Sequence, residues 1–127
     1  MIADTTFVSD FLKEFRRGQV GSARQFFAAQ RGGIIRTTII TVAEVALLFP
    51  TSDGAWEWLS KWYVYRLHDG IARRAADVGR ALAAAGARLG ENDNWIAGFA
   101  AYYQEPVISH DLAFDRAPGV RRVVYPR

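Results

Sequence analysis

The sequence predicts an α/β protein of the three-layer kind, with a mainly parallel central sheet and helices on both faces. Short apolar or β-branched runs alternate with longer stretches of helical periodicity along all 127 residues. Half of the residues are apolar and 13% aromatic, enough for one compact domain, residues 1–127, with a sizeable core. No internal repeat, low-complexity tract or linker interrupts the alternation.

The elements follow in order. Residues 1–3 form a very short apolar stretch halted at Asp4. A helical pattern covers residues 7–16; Gly18 and Gly21 punctuate it, and a second covers 22–30, ended by Gly32 and Gly33. Residues 34–38 read as a buried strand, after which Thr41 is placed to cap a helix with Val42, Val45, Ala46 and Phe49 on one side, stopped by Pro50. Ser52 or Asp53 suits the cap of the next helix, AWEWLSKWY, and residues 63–67 make another short strand. Asp69 opens the longest helix, to Ala85, whose Ile71, Ala75, Val78 and Leu82 form a core-facing stripe closed by Gly86. Asn92 or Asp93 caps a further helix to about Tyr103. Pro106 breaks the chain, and residues 107–109 and 121–124 are the last two strands.

Composition narrows the function classes. Without cysteine, neither a disulfide framework nor a thiolate metal site is available, and a cytoplasmic location is the expectation. The opening MIADTTFVSDF carries acids where a signal peptide needs a basic flank, and no run approaches about 18 apolar residues, so neither that export route nor a membrane span is expected. The chain carries 16 Lys+Arg against 13 Asp+Glu, a formal charge of +3. Fourteen of the cations are Arg, whose planar fork grips phosphate oxygens as Lys does not. This leans towards nucleic acid, although a high-GC genome would also enrich arginine.

Ligands of open parallel sheets bind at the carboxyl ends of the strands. Asp4 falls at the end of the first strand, Asp111 just past residues 107–109, Glu44 in the first turns of the helix after residues 34–38, and Asp93 at the start of its helix. Two such charges about 4 Å apart repel by roughly 4 kcal/mol at an effective dielectric near 20. A cation must normally share such a site. Oxygen ligands without cysteine favour a hard ion, Mg²⁺ or Mn²⁺, over zinc. One or two such ions among carboxylates are the machinery of phosphodiester hydrolysis. With these four acids set aside, 16 cations face 9 other acids, a basic body around an acidic pit. Taken singly, Asp4, Asp93 and Asp111 also read as ordinary helix or turn caps. Glu44 does not: it is embedded in IITVAEVALLF, where an unpartnered charge is costly.

These motifs resemble the PIN-domain ribonucleases, and within them the VapC-type toxins of toxin–antitoxin pairs. MIADTTFVSDFL is similar to the family's hydrophobic-Asp-Thr opening, placing Asp4 as the first metal carboxylate with Thr5 beside it. TTIITVAEVALLF resembles its Thr-x-x-Glu helix start and carries the second carboxylate to Glu44. Asn92-Asp93 with Ile96-Ala97 resembles the Asn-Asp-x-x-Ile-Ala segment, and Ser109-x-Asp111-x-x-Phe114 the Thr/Ser-x-Asp-x-x-Phe segment, closed by Pro118-Gly119-Val120. The likeness runs end to end and in order. Thr6 departs from it, standing where many members carry Asn or Ser and so bearing on a hydrogen bond to the first carboxylate. His110 and Asp115 match no core position of the family and stay outside the expected metal ligands; Asp115 reads as a turn or helix-end residue.

The resemblance implies a Mg²⁺- or Mn²⁺-dependent endoribonuclease that cuts structured RNA such as tRNA or ribosomal RNA through metal-activated water, leaving a 5′-phosphate and a 3′-hydroxyl. Asp4, Asp93 and Asp111 would hold the principal ion, and Glu44 a second ion or the attacking water. It also implies a cognate antitoxin that occludes the site, commonly with a basic side chain, and a homodimer. Trp56 and Leu59 are expected on one face of their helix and Trp58 and Trp62 on another, so that one face does not reach the core easily, with partner contact, core packing or base stacking open to the Trp56, Trp58 and Trp62 cluster. Other classes stay in view: a non-catalytic PIN-like module that binds RNA or protein, and a DNA-directed nuclease. A His-Asp phosphohydrolase built on His110-Asp111 would need several histidines, and only His68 remains.

Overall fold

A computed structural model describes residues 1–30 and 33–127. The element order is β1 (Ile2–Ala3), α1 (Thr5–Arg16), α2 (Ser22–Ala29), β2 (Arg36–Thr38), α3 (Ile39–Ala46), α4 (Ser52–Leu59), β3 (Tyr63–Tyr65), α5 (Asp69–Ala84), α6 (Glu91–Tyr103), β4 (Val107–Ile108), a 3-10 turn (Leu112–Arg116) and β5 (Arg122–Val123). All five strands are parallel, in the order β3-β2-β1-β4-β5, so every connection is a crossover that places helices on the faces. The predicted α/β sandwich is the observed one.

Alternation along the two-residue strands divides the core. Ile2 and Val107 face α5 and α6, packing with Ile71, Val78, Ile96 and Phe99. Ala3 and Ile108 face the opposite layer, where Phe7, Leu12, Val45 and Leu59 from α1, α3 and α4 surround them. The stripe Ile71, Ala75, Val78, Leu82 is buried as its spacing predicts.

Several boundaries differ from the sequence expectation, each for a local reason. Thr38, not Thr41, caps α3, its hydroxyl accepting from the Thr41 amide; Thr41 is fully buried inside the helix. That helix ends at Ala46, before Pro50 can stop it. Thr51 caps α4 ahead of Ser52 and Asp53, and His68 caps α5 through its ring nitrogen. β2 begins at Arg36, two residues later than expected, and β3 stops at Tyr65 rather than Leu67. The Gly33 of the expected Gly32-Gly33 break is described; Gly32 lies outside the described residues. No helix among the described residues is long and apolar enough to cross a membrane.

The amino ends of the strands are tied by charge. The Glu105 carboxylate accepts from the Met1 amine at 2.9 Å and from the Tyr65 hydroxyl, with Arg36 3.8 Å away. Burial alone would raise its proton affinity, but these partners outweigh it and hold the carboxyl below the usual range.

α5 and α6 form an antiparallel hairpin in very close contact. Asn94 of α6 donates to the Ala75 carbonyl at 3.0 Å, and Arg74 of α5 to the Ala101 carbonyl at 3.3 Å. Between them lies Gly98, where an added Cβ would stand 2.7 Å from the Ala75 Cβ and 3.0 Å from its Cα and N. Because backbone atoms cannot yield, Gly98→Ala is expected to destabilise the fold by about 1–3 kcal/mol despite alanine's better helix propensity, read as a lower urea midpoint at unchanged slope.

Candidate metal centre

The four sequence-predicted acids come from four different elements and meet at the carboxyl ends of β1 and β4. Asp4 directly follows β1 and is only 4% exposed. It is the N-cap of α1, with Oδ1 accepting from the Phe7 amide at 2.8 Å. Asp111 follows β4 and caps the 3-10 turn, its Oδ1 accepting from the Ala113 amide at 2.9 Å. The capping reading is therefore correct for both. It does not compete with metal binding, since in each case one oxygen satisfies the turn and the other is uncommitted by it. For Asp93 the capping reading fails: α6 starts at Glu91 after Gly90, so Asp93 lies inside the first turn, where a carboxylate complements the helix dipole.

Glu44 has the partner that its apolar surroundings demanded. The Thr5 hydroxyl donates to Glu44 Oε1 at 2.7 Å and also lies 3.3 Å from the Thr41 hydroxyl, linking the starts of α1 and α3.

Ser109, fully buried, joins Asp4 and Asp111. Its hydroxyl donates to Asp4 and accepts from the Asp111 amide at 2.9 Å. Thr6 is exposed, and the hydrogen bond it was placed to bear on is supplied from across the sheet by Ser109. The Ser109 and Thr5 roles were missed by sequence reasoning beyond their place in the motifs. The only sequence signal for them was a hydroxyl adjoining an acid at a strand end.

The electrostatics show that these acids share one environment. Burial pushes the Asp4 carboxyl up to about 6, with the Ser109 and Phe7 hydrogen bonds opposing and the negative charges of Asp93 and Asp111 adding to the rise. Asp93 is raised by burial first, then by the charges of Asp111 and Glu44. Among the described residues none of the four forms an ion pair, in contrast to Glu105 at the opposite end of the sheet. As the side chains lie, no three acidic or histidine groups among the described residues close into a ready ligand set for one ion. What fits a divalent cation is the donor chemistry: oxygen only, mutually repelling, and held by backbone and hydroxyl groups that leave carboxylate oxygens over.

His110 does not belong to this edge. Its ring packs 4.1 Å from that of buried Tyr125, and its Nε2 is buried without a hydrogen-bond partner. Tyr125 in turn donates to Asp10 at 2.6 Å, fastening the end of the chain to α1. Asp115 lies in the 3-10 turn, as expected, and is paired with Arg122.

Beside α1 a different surface forms. Phe11 meets Phe27 and Trp62 edge to face, Trp58 and Trp62 stand 5.8 Å apart, and Phe15 flanks Trp58. With Arg24 and Lys61 they line a hollow of about 300 Å³. Trp56 and Leu59 line one hollow together, as their spacing predicts, but Leu59 is buried and Trp56 is exposed. Ala55 and Leu59 take the core side of this eight-residue helix.

Comparison with known proteins decides the family. The PIN domain family model matches residues 1–120. The chain belongs to the PIN-domain family. Members of this family are generally metal-dependent nucleases. VapBC-5 from Mycobacterium tuberculosis, a member of the VapBC family of toxin–antitoxin systems, is 30% identical, with 71% of this chain and 79% of that chain covered and a TM-score of 0.57. VapBC2 from Rickettsia felis, bound to a promoter DNA fragment, shares the fold over 98% of both chains at 14% identity and a TM-score of 0.80. DNA-bound VapBC from Salmonella typhimurium aligns over 97% of this chain and 96% of that one, at 21% identity and a TM-score of 0.76. No curated protein matches. The resemblance of this PIN domain to the VapC-type toxins is thus confirmed.

The raised Asp4 pKa makes the metal-free protein pH-sensitive. The folded state binds the Asp4 proton more tightly than the unfolded chain, so this contribution is fully present below about pH 4 and lost as pH rises through about 6. Asp4→Asn is expected to raise metal-free stability at pH 7.5 by about 1–3 kcal/mol and to flatten the pH profile between 4 and 6. Urea unfolding in EDTA across that range measures both.

Proposed function

We propose that this chain is a VapC-type toxin, a single PIN-like domain over residues 1–127 that cuts structured RNA such as tRNA or rRNA as a Mg²⁺- or Mn²⁺-dependent endoribonuclease. One observation carries the reading: four carboxylates from four elements are directed to the carboxyl edge of a parallel sheet, where the charges of Glu44, Asp93 and Asp111 add to the raised proton affinity of Asp4 or Asp93, and none of the four has an ion-paired cation among the described residues.

Asp4, Asp93 and Asp111 would hold the principal ion, with Glu44 placed for a second ion or for the attacking water. A divalent ion bound there supplies an activated water and neutralises charge developing on the phosphate. The chain's own residues do the rest. Asp4 and Asp111 offer the oxygens not used in capping, Ser109 keeps the pair in register, and Thr5 fixes which way Glu44 points. The arginine-rich remainder of the surface favours a polyanionic substrate.

The partner would be a cognate antitoxin, as in the toxin–antitoxin complexes that share this fold. A basic antitoxin side chain set among the four acids would take the place of the ion. The hollow lined by Phe11, Phe15, Phe27, Trp58 and Trp62 suits the apolar side of an antitoxin segment, and the cations at its rim favour acidic flanks on it. A cytoplasmic homodimer completes the proposal.

Labelled total RNA and DNA, incubated with the purified chain in Mg²⁺ and then in EDTA, test this reading. RNA cleavage with 5′-phosphate and 3′-hydroxyl ends, abolished by EDTA, is expected. Asp93→Asn should lower it by more than about 100-fold, beyond the 10–100-fold typical of groups one layer behind a metal. Cleavage that survives EDTA or Asp93→Asn would sink the metal mechanism. Preferential cutting of DNA would favour the DNA-directed nuclease, and growth arrest unaltered by Asp93→Asn a non-catalytic module.

A further inference from the structure

The strongest feature outside the acids themselves is a bracket behind Asp111. Arg122, at the start of β5, makes a two-pronged contact with Asp115 of the 3-10 turn: Nε to Oδ1 at 3.0 Å and Nη2 to Oδ2 at 3.0 Å. Its third donor, Nη1, reaches the Ser109 carbonyl at 3.2 Å. One guanidinium therefore ties together β5, the end of β4 and the turn that Asp111 caps. The Arg122 side chain is 13% exposed, whereas that of Asp115 is 51% exposed.

What the bracket fixes follows from the bonds around it. Ser109 carries the hydroxyl shared by Asp4 and the Asp111 amide, and the Asp111 carboxylate caps the turn that contains Asp115. Arg122 thus grips the backbone of the residue joining the two acids and, through Asp115, the turn on which one of them depends. A planar fork makes this geometry stiff, and a lysine could not reproduce it. Asp115 takes two of the three donating nitrogens of Arg122, leaving Nη1 for the Ser109 carbonyl.

The geometry points to Arg122 and Asp115 as positioning residues for the acid edge: they set the placement of Asp111 relative to Asp4. This rests on the metal reading proposed above.

Mn²⁺ binding to the purified full chain, followed by the electron paramagnetic resonance of free ion, tests it alongside urea unfolding without metal. Arg122→Lys and Asp115→Asn are each expected to weaken Mn²⁺ binding about tenfold, as displaced groups behind metal ligands do. kcat for RNA should fall while KM changes little. Asp77→Asn, which removes the exposed pair with Arg80 on α5, should alter neither. Should Arg122→Lys unfold, the half-exposed Asp115→Asn decides the matter. Undiminished Mn²⁺ affinity in these variants, or a loss matched by their loss of folded protein, overturns the bracket. Absence of Asp4-dependent Mn²⁺ binding in the unaltered chain overturns the metal reading, and the bracket with it.

Discussion

A carboxylate buried at the end of the central strand is the constraint around which this edge of the molecule is arranged. Asp4 has almost no contact with water, so its charge is tolerable only with donors at hand. One comes from the first turn of α1 and another from Ser109 on the neighbouring strand. Parallel pairing of β1 with β4 makes the second possible, because the register Ala3↔Ile108 brings the residues that follow, Asp4 and Ser109, side by side. The same register delivers Asp111 two residues further on. Short parallel strands thus turn acids remote in sequence into neighbours without any local motif.

The two ends of the sheet show opposite solutions to the same problem. At the amino end, Glu105 is satisfied by an amine, a phenol and a guanidinium, and its proton is held loosely. At the carboxyl end, acids face acids, and Asp4 and Asp93 hold their protons tightly. The first arrangement is complete as it stands. In the second, none of the four acids has an ion-paired cation among the described residues, and it is the chemically receptive end.

Much of this was legible in the sequence. Strand and helix alternation gave the layers, because apolar periodicity is imposed by burial and burial dominates here. Glu44 stood out since a charge inside IITVAEVALLF needs a reason. Other features were not legible. Thr38 and Thr51 act as caps one to three residues before the positions expected, because caps depend on where the preceding strand or loop releases the chain. Asp93 read as a cap only because α6 was given too late a start. Neither the Ser109 link to Asp4 nor the Arg122 contacts could be placed from sequence, since the first depends on β1 lying beside β4 and the second on β4 lying beside β5. The exposure of Trp56 beside buried Leu59 was hidden too, for helical spacing gives a shared face but not how deep each residue sits.

The close contact at Gly98 acquires a wider meaning once the acids are placed. Asp4 and Asp111 hang from strand ends, but Asp93 rides on α6 as part of a rigid rod. Its distance from the others is therefore set by how deeply that rod seats against α5, at a contact five residues along the helix from Asp93. A single methyl group at that seam would tilt the rod and widen the acid edge without touching it. The placement of Asp93 thus depends on side-chain size along α5, a helix that carries none of the four acids.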